Sequence, residues 1–153
     1  MELPEAKGTY FLIAELSQMR RLEIGRLGKF DLITGFYAYV GSAFGPGGLQ
    51  ARLGHHLAAK TRLHWHIDYL LQVANPIEIW FSVAAERLEP QWADFMAATP
   101  RFRTPIPRFG ASDYCRSGRS HLFYSKRRPS FRWFRQQMEG RFKGVNVGRI
   151  NLE

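Results

Sequence analysis

One stretch of the chain, residues 35–57, most constrains how it can fold. Its sequence is GFYAYVGSAFGPGGLQARLGHHL, in which β-forming residues give way to a turn rich in glycine and then to leucines four residues apart. Aromatic and β-branched residues favour strands, glycine and proline interrupt regular structure, and leucines at this spacing form the apolar face of a helix. We therefore predict a strand over 35–41, a break, and a helix that begins near Leu49.

The predicted helix carries two chemically capable side chains beside its apolar face. Arg52 and His56 are four residues apart, so they share one flank of the helix. Arginine can bind a phosphate through two parallel hydrogen bonds, and histidine can exchange a proton near neutral pH. The turn before the helix lacks the GK[ST] ending of a nucleotide-binding loop, so we interpret it as a hinge that directs the helix. Taken alone, both side chains would more often be ordinary surface residues.

The residues before this stretch predict strands with no helix between them. Residues 8–16 are rich in β-forming side chains, and residues 21–27 alternate between polar and apolar, which favours a hairpin followed by a connection over 28–31. The same rules predict further elements downstream: helices over 62–73, 87–98 and 129–138, strands over 77–83 and 121–124, and a loop over 107–120. This order predicts an α+β fold with a small, mainly antiparallel sheet of three to four strands flanked by helices.

Length and composition place limits on the domain organisation. At 153 residues with 45% hydrophobic residues, the chain can bury a core of its own. We predict a domain over 1–124 and a basic extension over 125–153 that packs on it or next to it. No run of about 18 apolar residues and no basic leader occurs, and Cys115 is the single cysteine. We therefore expect a cytoplasmic protein with no membrane partner.

Positive charge is concentrated in the last third of the chain. Residues 1–100 contain 9 Lys and Arg against 10 Asp and Glu, whereas residues 101–153 contain 13 against 3. Arginine is the more frequent cation, and the segment SKRRPSFRWFRQQMEGRFKG interleaves it with aromatic residues, as is typical of proteins that bind nucleic acid. A solvated helix face with its aromatic residues in the core is the alternative. We predict DNA contacts by Lys126, Arg127, Arg128, Arg132 and Arg135.

The order of several short motifs resembles a known nuclease family. Gly8-Thr9-Tyr10 is followed by Tyr39-Val40-Gly41, and then by Arg52 and His56 on the next helix. This arrangement resembles the GIY-YIG endonuclease superfamily. The segments FYAYVGSAFGPGGLQARLGHHL, HWHIDYL and FGASDYC…SHLFY resemble an uncharacterised branch of it, over roughly residues 8–124. Thr9 departs from the family's usual Ile, and no counterpart of a downstream Asn is found.

The resemblance implies a metal-dependent endonuclease that hydrolyses DNA phosphodiester bonds, in DNA repair or processing. It implies one Mg²⁺ or Mn²⁺ per site, held by a glutamate on a later helix, for which Glu89 is our first choice and Glu86 the second. No organic small-molecule cofactor is expected. The catalytic residues that it implies are Tyr10, Tyr39, Arg52, His56 and Glu89.

These residue types suit phosphodiester hydrolysis on chemical grounds. A carboxylate can hold a hard divalent cation as a Lewis acid, and Arg52 can bind a nonbridging phosphate oxygen. Tyr10 or Tyr39 could orient or deprotonate the attacking water, and His56 could share that role. Which tyrosine acts as the base stays open.

Structural roles are the alternative for each of these residues. The tyrosines could be ordinary strand residues with buried rings, and Glu89 could be an acid that favours a helix N-terminus. A zinc site is disfavoured because HxHxD is not a structural zinc spacing; its candidate ligands are His64, His66, Asp68, Cys115 and His121. We favour a packed or hydrogen-bonded role for HWHIDYL, with His64 or His66 touching DNA.

Two other functions remain open on the sequence alone. The chain could be a DNA-binding module that keeps this fold without catalysis, or a protein-interaction domain with a basic surface.

Overall fold

The computed structural model describes residues 2–110 and 119–153, which form an α+β fold. Cys115 and most of the predicted loop over 107–120 lie outside these residues. The strands are β1 Gly8–Leu16, β2 Arg20–Ile24, β3 Gly28–Leu32, β4 Gly35–Ala43, β5 Asn75–Val83, β6 Leu122–Ser125 and β7 Gly148–Asn151. The helices are α1 Gly48–Leu57, α2 His66–Leu70, α3 Glu89–Ala97 and α4 Phe131–Arg141. In the described part of the chain, no helix is long and apolar enough to cross a membrane.

The main sheet has five antiparallel strands in the order β6-β4-β1-β5-β7. It is therefore antiparallel as predicted, with one strand more than predicted. The additional strand is β7, which pairs with β5 at one edge. β7 was not predicted, because four residues that alternate between half-buried and exposed are too few for a period to be recognised.

The predicted hairpin between the first two strands is wrong. β1 pairs with β4 and β5, whereas β2 pairs with β3 in a separate two-stranded sheet. Eight of the nine residues of β1 are buried, so this strand needs neighbours on both edges and cover on both faces. β2 is mostly exposed and suits a peripheral hairpin. Residues 28–31, predicted as a connection, are part of β3.

Alternating residues of the central strands supply two hydrophobic layers. On one face, Tyr10, Leu12 and Tyr39 pack in a core with α1 and α2. On the other face, Phe11 and Trp80 pack in a core with α3 and α4. Because successive side chains of a strand point to opposite faces, Tyr10 and Phe11 enter different cores. The helices that carry Arg52 and Glu89 are therefore positioned from opposite faces of one sheet.

The last part of the chain shares the sheet and the core of the rest. Phe134 and Met138 of α4 are fully buried, and β7 is hydrogen-bonded to β5. Residues 125–153 thus contribute one helix and one strand to the same folded unit.

α2 is shorter than the predicted helix over 62–73. The Asp68 side chain accepts hydrogen bonds from the backbone N–H groups of His64 and Trp65, which holds the chain before His66 in a non-helical turn. α3 begins at Glu89 with Pro90 in its first turn, where proline is tolerated because that N–H has no helical partner.

Candidate active site

A cleft of about 750 Å³ opens where β4 ends and α1 passes over the sheet. Three of the predicted catalytic residues line it, each from a different element: Tyr39 of β4, Arg52 of α1 and Glu89 of α3. The other lining residues are Gly41, Ser42, Phe44, Gly45, Trp65, Arg87 and Gly110. Tyr10 and His56 do not line the cleft and lie buried behind it.

The glycine-rich turn directs α1 across the sheet. Gly47 has φ 82° and Gly48 has φ 56°, a backbone conformation that residues with a side chain rarely adopt. The N–H groups of Leu49 and Gln50 donate to the carbonyl oxygens of Ala6 and Pro4, at 2.9 and 3.1 Å. These donors at the start of α1 are therefore used within the fold, which agrees with a hinge and not with a phosphate-binding loop.

Behind the cleft, Tyr10 and His56 form a buried hydrogen-bonded pair. The Tyr10 hydroxyl is 2.8 Å from His56 Nε2, and both side chains are almost fully buried. The ring of Tyr39 lies 6.3 Å from that of Tyr10 and 6.2 Å from that of His56, between centroids. Gly41 is opposite Tyr10 in the sheet, and a Cβ atom at Gly41 would overlap the Tyr10 ring and hydroxyl. Gly41 therefore separates the cleft from Tyr10, and the absence of a side chain at this position lets the two lie close together.

Burial keeps these groups in their neutral forms. It raises the pKa of Tyr10 and of Tyr39 well above the usual value, and Arg52 opposes part of each rise. Burial lowers the pKa of His56 to about 4, against the opposite influence of Asp68. At pH 7 both tyrosines are therefore protonated and His56 is uncharged.

Glu89 is held on the opposite wall of the cleft by two polar side chains. The Ser42 hydroxyl donates to Glu89 Oε2 at 2.6 Å, and His121 Nδ1 is 3.2 Å from Glu89 Oε1. The carboxylate keeps 21% of its side-chain surface exposed to the cleft. Glu86, the second choice, is exposed and is not among the residues that line the cleft.

Thr9, the middle residue of the Gly8-Thr9-Tyr10 motif, has a clear structural role. Its side chain is fully buried, and its hydroxyl oxygen accepts a hydrogen bond from the Leu88 N–H at 3.1 Å. Leu88 immediately precedes Glu89, so Thr9 ties the start of α3 to the central strand. The polar residue thereby fixes the position from which Glu89 enters the cleft.

The donor set suits one hard cation that completes its coordination with other oxygens. Mg²⁺ is commonly bound through one or two carboxylates, with water and substrate phosphate as the remaining ligands. Glu89 supplies one carboxylate, and among residues 2–110 and 119–153 no group of three or more His, Cys, Asp or Glu could hold a metal. Glu89 therefore fits Mg²⁺ or Mn²⁺ when a phosphate supplies further oxygens.

The two histidines of HWHIDYL have different surroundings. His66 Nδ1 accepts the N–H of Gly110 at 2.8 Å and its ring packs on Phe109, so it supports the Gly110 wall of the cleft. His64 is exposed, with its ring against Trp65 at 5.1 Å. Of the two predicted DNA contacts, His64 is the more accessible.

Sequence reasoning did not assign several residues that line or shape the cleft. Trp65 lies under the Arg52 guanidinium at 5.3 Å, and Phe44 lies under that of Arg87 at 4.6 Å. His121, considered only as a zinc ligand, contacts Glu89. No spacing in the sequence connects His121 with Glu89, because the two residues are 32 positions apart and come together only in the assembled fold.

The basic segment begins at the other end of the sheet from the cleft. Ser125 of β6 pairs with Phe36 of β4, five residues from Gly41, which is about 17 Å along a strand. All five predicted DNA-binding residues are exposed in this segment, at positions 126, 127, 128, 132 and 135. Two of them form ion pairs: Arg135 Nε lies 3.3 Å from Glu139, and Arg128 binds Glu78 and Glu153 at 2.8 and 2.6 Å.

Arg128 therefore has a structural partner that the sequence did not indicate. Its Nε atom donates to Glu78, whose side chain is only 3% exposed. These hydrogen bonds, first that to Glu153, raise the pKa of Arg128. The guanidinium therefore bridges the buried carboxylate of Glu78 and the exposed carboxylate of Glu153.

Comparison with known families gives one match. The model of a family described as "Domain of unknown function DUF123" matches residues 9–143. The comparisons with curated proteins and with solved structures found no match. Since the match spans most of the 153 residues, the chain belongs to the DUF123 family.

Proposed function

We propose that this member of the DUF123 family is a divalent-metal-dependent endonuclease that hydrolyses DNA phosphodiester bonds in the cleft. The observation that carries the proposal is the convergence of Tyr39, Arg52 and Glu89 from three elements on one cleft. Together they offer an acid–base group, a phosphate-binding cation and a metal ligand. The order of the motifs, which resembles that of GIY-YIG endonucleases, supports the same activity.

Two arginines held by aromatic rings would bind the phosphate. Arg52 stacks on Trp65 and Arg87 on Phe44, at 5.3 and 4.6 Å from the ring centroids. A stacked guanidinium keeps its N–H edge free for planar contacts with phosphate oxygens. The rings also fix these long side chains, so less conformational entropy is lost when a phosphate binds.

Glu89 would hold the metal ion at the facing wall. When bound, Mg²⁺ or Mn²⁺ supplies Lewis-acid stabilisation of the charge that develops on the phosphoryl and leaving oxygens. Ser42 and His121 orient the Glu89 carboxylate through the contacts at 2.6 and 3.2 Å. Such outer partners commonly fix a metal ligand and tune its affinity.

Tyr39 is the better candidate for contact with the attacking water. It lines the cleft and is 7% exposed, whereas Tyr10 is completely buried and bonded to His56. The Tyr39 phenolate would take a proton from water as the water oxygen bonds to phosphorus and the bond to the leaving oxygen breaks. Because burial raises the Tyr39 pKa, the reactive phenolate is scarce at pH 7, and cleavage should accelerate towards alkaline pH.

The position of the basic segment favours a long ligand over a mononucleotide. The start of this segment is about 17 Å from Gly41 of the cleft, measured along β4, which is roughly half a turn of duplex, so a duplex bound in the cleft has the length to reach Lys126 and Arg127. The exposed Lys126 and Arg127 would neutralise backbone phosphates without reading sequence.

A DNA-binding module without catalysis is the second candidate. It is favoured by one observation: both Glu89 oxygens already have partners in Ser42 and His121. This candidate predicts salt-sensitive DNA binding that Glu89→Ala leaves unchanged, and no cleavage.

Nicking of supercoiled plasmid with Mg²⁺ or Mn²⁺ tests the proposal. Wild-type protein should nick the plasmid, and Arg52→Ala and Glu89→Ala should each reduce the rate at least 100-fold, in the range for a group that acts in the transition state. Glu86→Ala is the matched control and should retain the wild-type rate, since Glu86 is outside the cleft. The proposal fails if several DNA substrates show no metal-dependent nicking, or if the cleft variants nick as fast as wild type.

A further inference from the structure

A buried row of polar side chains continues inward from Tyr10. The Tyr10 hydroxyl is 2.8 Å from His56 Nε2, His56 Nδ1 is 3.9 Å from Asp68 Oδ1, and Lys60 Nζ is 3.4 Å from the same oxygen. The His56 and Asp68 side chains are 1% and 0% exposed. Buried polar groups have less access to water as a hydrogen-bond partner than exposed groups have. Each of these side chains therefore needs a partner within the row.

The two oxygens of Asp68 have separate roles. Oδ2 accepts the N–H groups of His64 and Trp65 at 3.1 and 2.8 Å, which forms the turn before α2. Oδ1 and His56 Nδ1 are both buried and have no hydrogen-bond partner in the described part of the chain. These two atoms face each other and are about 1 Å farther apart than a hydrogen bond requires.

The tautomer of His56 decides whether this pair is favourable. Neutral imidazole has one N–H donor and one acceptor nitrogen. With the proton on Nε2, the lone pair of Nδ1 would face the Asp68 carboxylate, so two buried acceptors would face each other with only the Lys60 ammonium, 3.4 Å from Oδ1, to offset their repulsion. With the proton on Nδ1, a donor faces the carboxylate, and Nε2 can accept from the Tyr10 hydroxyl.

We propose that Asp68 is a positioning residue that holds His56 with its proton on Nδ1, so that Tyr10 donates its hydroxyl proton to Nε2. Asp68 Oδ1 thereby fixes the direction of the hydrogen bond behind the cleft. This role requires only that His56 Nδ1 and Asp68 Oδ1, now 3.9 Å apart, move about 1 Å closer together.

The consequence reaches the cleft through Tyr10 and rests on the proposed function. Tyr10 packs directly against Gly41 of the cleft, and its ring lies 6.3 Å from that of Tyr39, between centroids. In the other tautomer, Nε2–H would donate to the Tyr10 oxygen and turn the hydroxyl proton away from His56. Asp68 therefore sets the direction of the Tyr10 hydroxyl, next to Tyr39, through one intermediate side chain.

Asp68→Asn is a sharp test because asparagine can retain the turn. Its amide oxygen can still accept the N–H groups of His64 and Trp65, while its NH₂ group replaces Oδ1. A donor then faces His56 Nδ1 and should shift the proton to Nε2. Asp31→Asn, which removes an exposed carboxylate in β3, is the matched control.

The measurement is ¹⁵N–¹H correlation NMR of the imidazole rings at pH 7.5, with His56 assigned from the signals that His56→Gln removes. We expect the Nδ1–H tautomer in wild type and Asp31→Asn, and the Nε2–H tautomer in Asp68→Asn. An Nε2–H tautomer in wild type, or an Nδ1–H tautomer in correctly folded Asp68→Asn, overturns the proposal. If Asp68→Asn does not fold, the wild-type spectrum still decides.

Plasmid nicking separates this proposal from the proposed function. Asp68→Asn should lower the nicking rate about 100-fold, an effect typical of misplaced acid–base groups, whereas Asp31→Asn should stay near wild type. If the tautomers are as predicted but the wild-type protein does not nick DNA, the role of Asp68 stands and the proposed nuclease activity is rejected. Rapid nicking by Asp68→Asn with an inverted tautomer rejects the link from Asp68 through Tyr10 to the cleft. The tautomer is read at one pH because other groups also act on His56: Tyr10, Tyr39, Arg52, His55 and Lys60.

Discussion

Gly41 is the residue at which the cleft and the buried tyrosine meet. A methyl group at Gly41 would overlap the ring and hydroxyl of Tyr10. The Tyr10 side chain is fully buried, so it cannot move aside without displacing its neighbours. Gly41→Ala should therefore lower the free energy of unfolding by about 1–3 kcal/mol. Gly54→Ala is the control, since Gly54 lies in α1 with open space around it and should gain up to about 1 kcal/mol. Urea unfolding of both variants checks this, and equal stabilities would contradict it.

His56 should make the protein sensitive to mild acid. Its pKa is about 4 in the folded protein against 6.5 for an ordinary histidine, so the unfolded chain binds a proton first as pH falls. The stability that neutral His56 contributes is complete above pH 6.5 and is lost as pH falls through 4. The difference between these two pKa values corresponds to about 3 kcal/mol of stability.

Urea unfolding between pH 7.5 and 4.5 measures this loss. His66 and His121 also have lowered pKa values and add to the decline, so the comparison is with variants. His56→Gln should flatten the pH dependence, whereas His55→Gln, the exposed neighbour, should not. A wild-type stability that is constant over this range would refute the account of His56.

At the scale of elements, Thr9 connects the central strand to α3. Thr9→Val removes the acceptor of the Leu88 N–H and should cost about 1–2 kcal/mol, because a buried donor is left unpaired. Thr9→Ser keeps the hydroxyl and should recover most of that loss. Chemical denaturation of the two variants is the measurement, and a valine variant as stable as the serine variant would contradict the assigned role.

Elements were predictable from the sequence where their pattern is local. β1, β4, α1 and α3 were predicted near their observed positions, since β-forming runs, glycine turns and leucine spacing act within a few residues. Strand pairing was not, because β1 joins β4 and β5 only through contacts distant in sequence. For the same reason, only part of the cleft could be predicted from the sequence. The position of Arg52 follows from the helix pattern, whereas the contact of His121 with Glu89 depends on the assembled sheet.

At the scale of the whole molecule, two kinds of basic residue should behave differently. Arg132→Ala should weaken DNA binding and reduce the slope of log K against log salt by about 1 if Arg132 contacts a phosphate, with little change in stability. Arg128→Ala should instead lower the free energy of unfolding by about 2 kcal/mol, because the Oε2 atom of buried Glu78 loses the hydrogen bonds from Arg128, while Oε1 keeps that from Trp80. Fluorescence anisotropy over a salt series and urea unfolding distinguish the two. Loss of stability in Arg132→Ala but not in Arg128→Ala would reverse the assignment.

The central claim is that the cleft joining the two faces of the sheet hydrolyses DNA with a metal ion on Glu89. The most direct measurement is Mg²⁺-dependent nicking of supercoiled plasmid by wild-type protein, Glu89→Gln and Glu86→Gln. We predict nicking by wild type and Glu86→Gln and none by Glu89→Gln. No nicking by any of them, or equal nicking by all three, would contradict the claim.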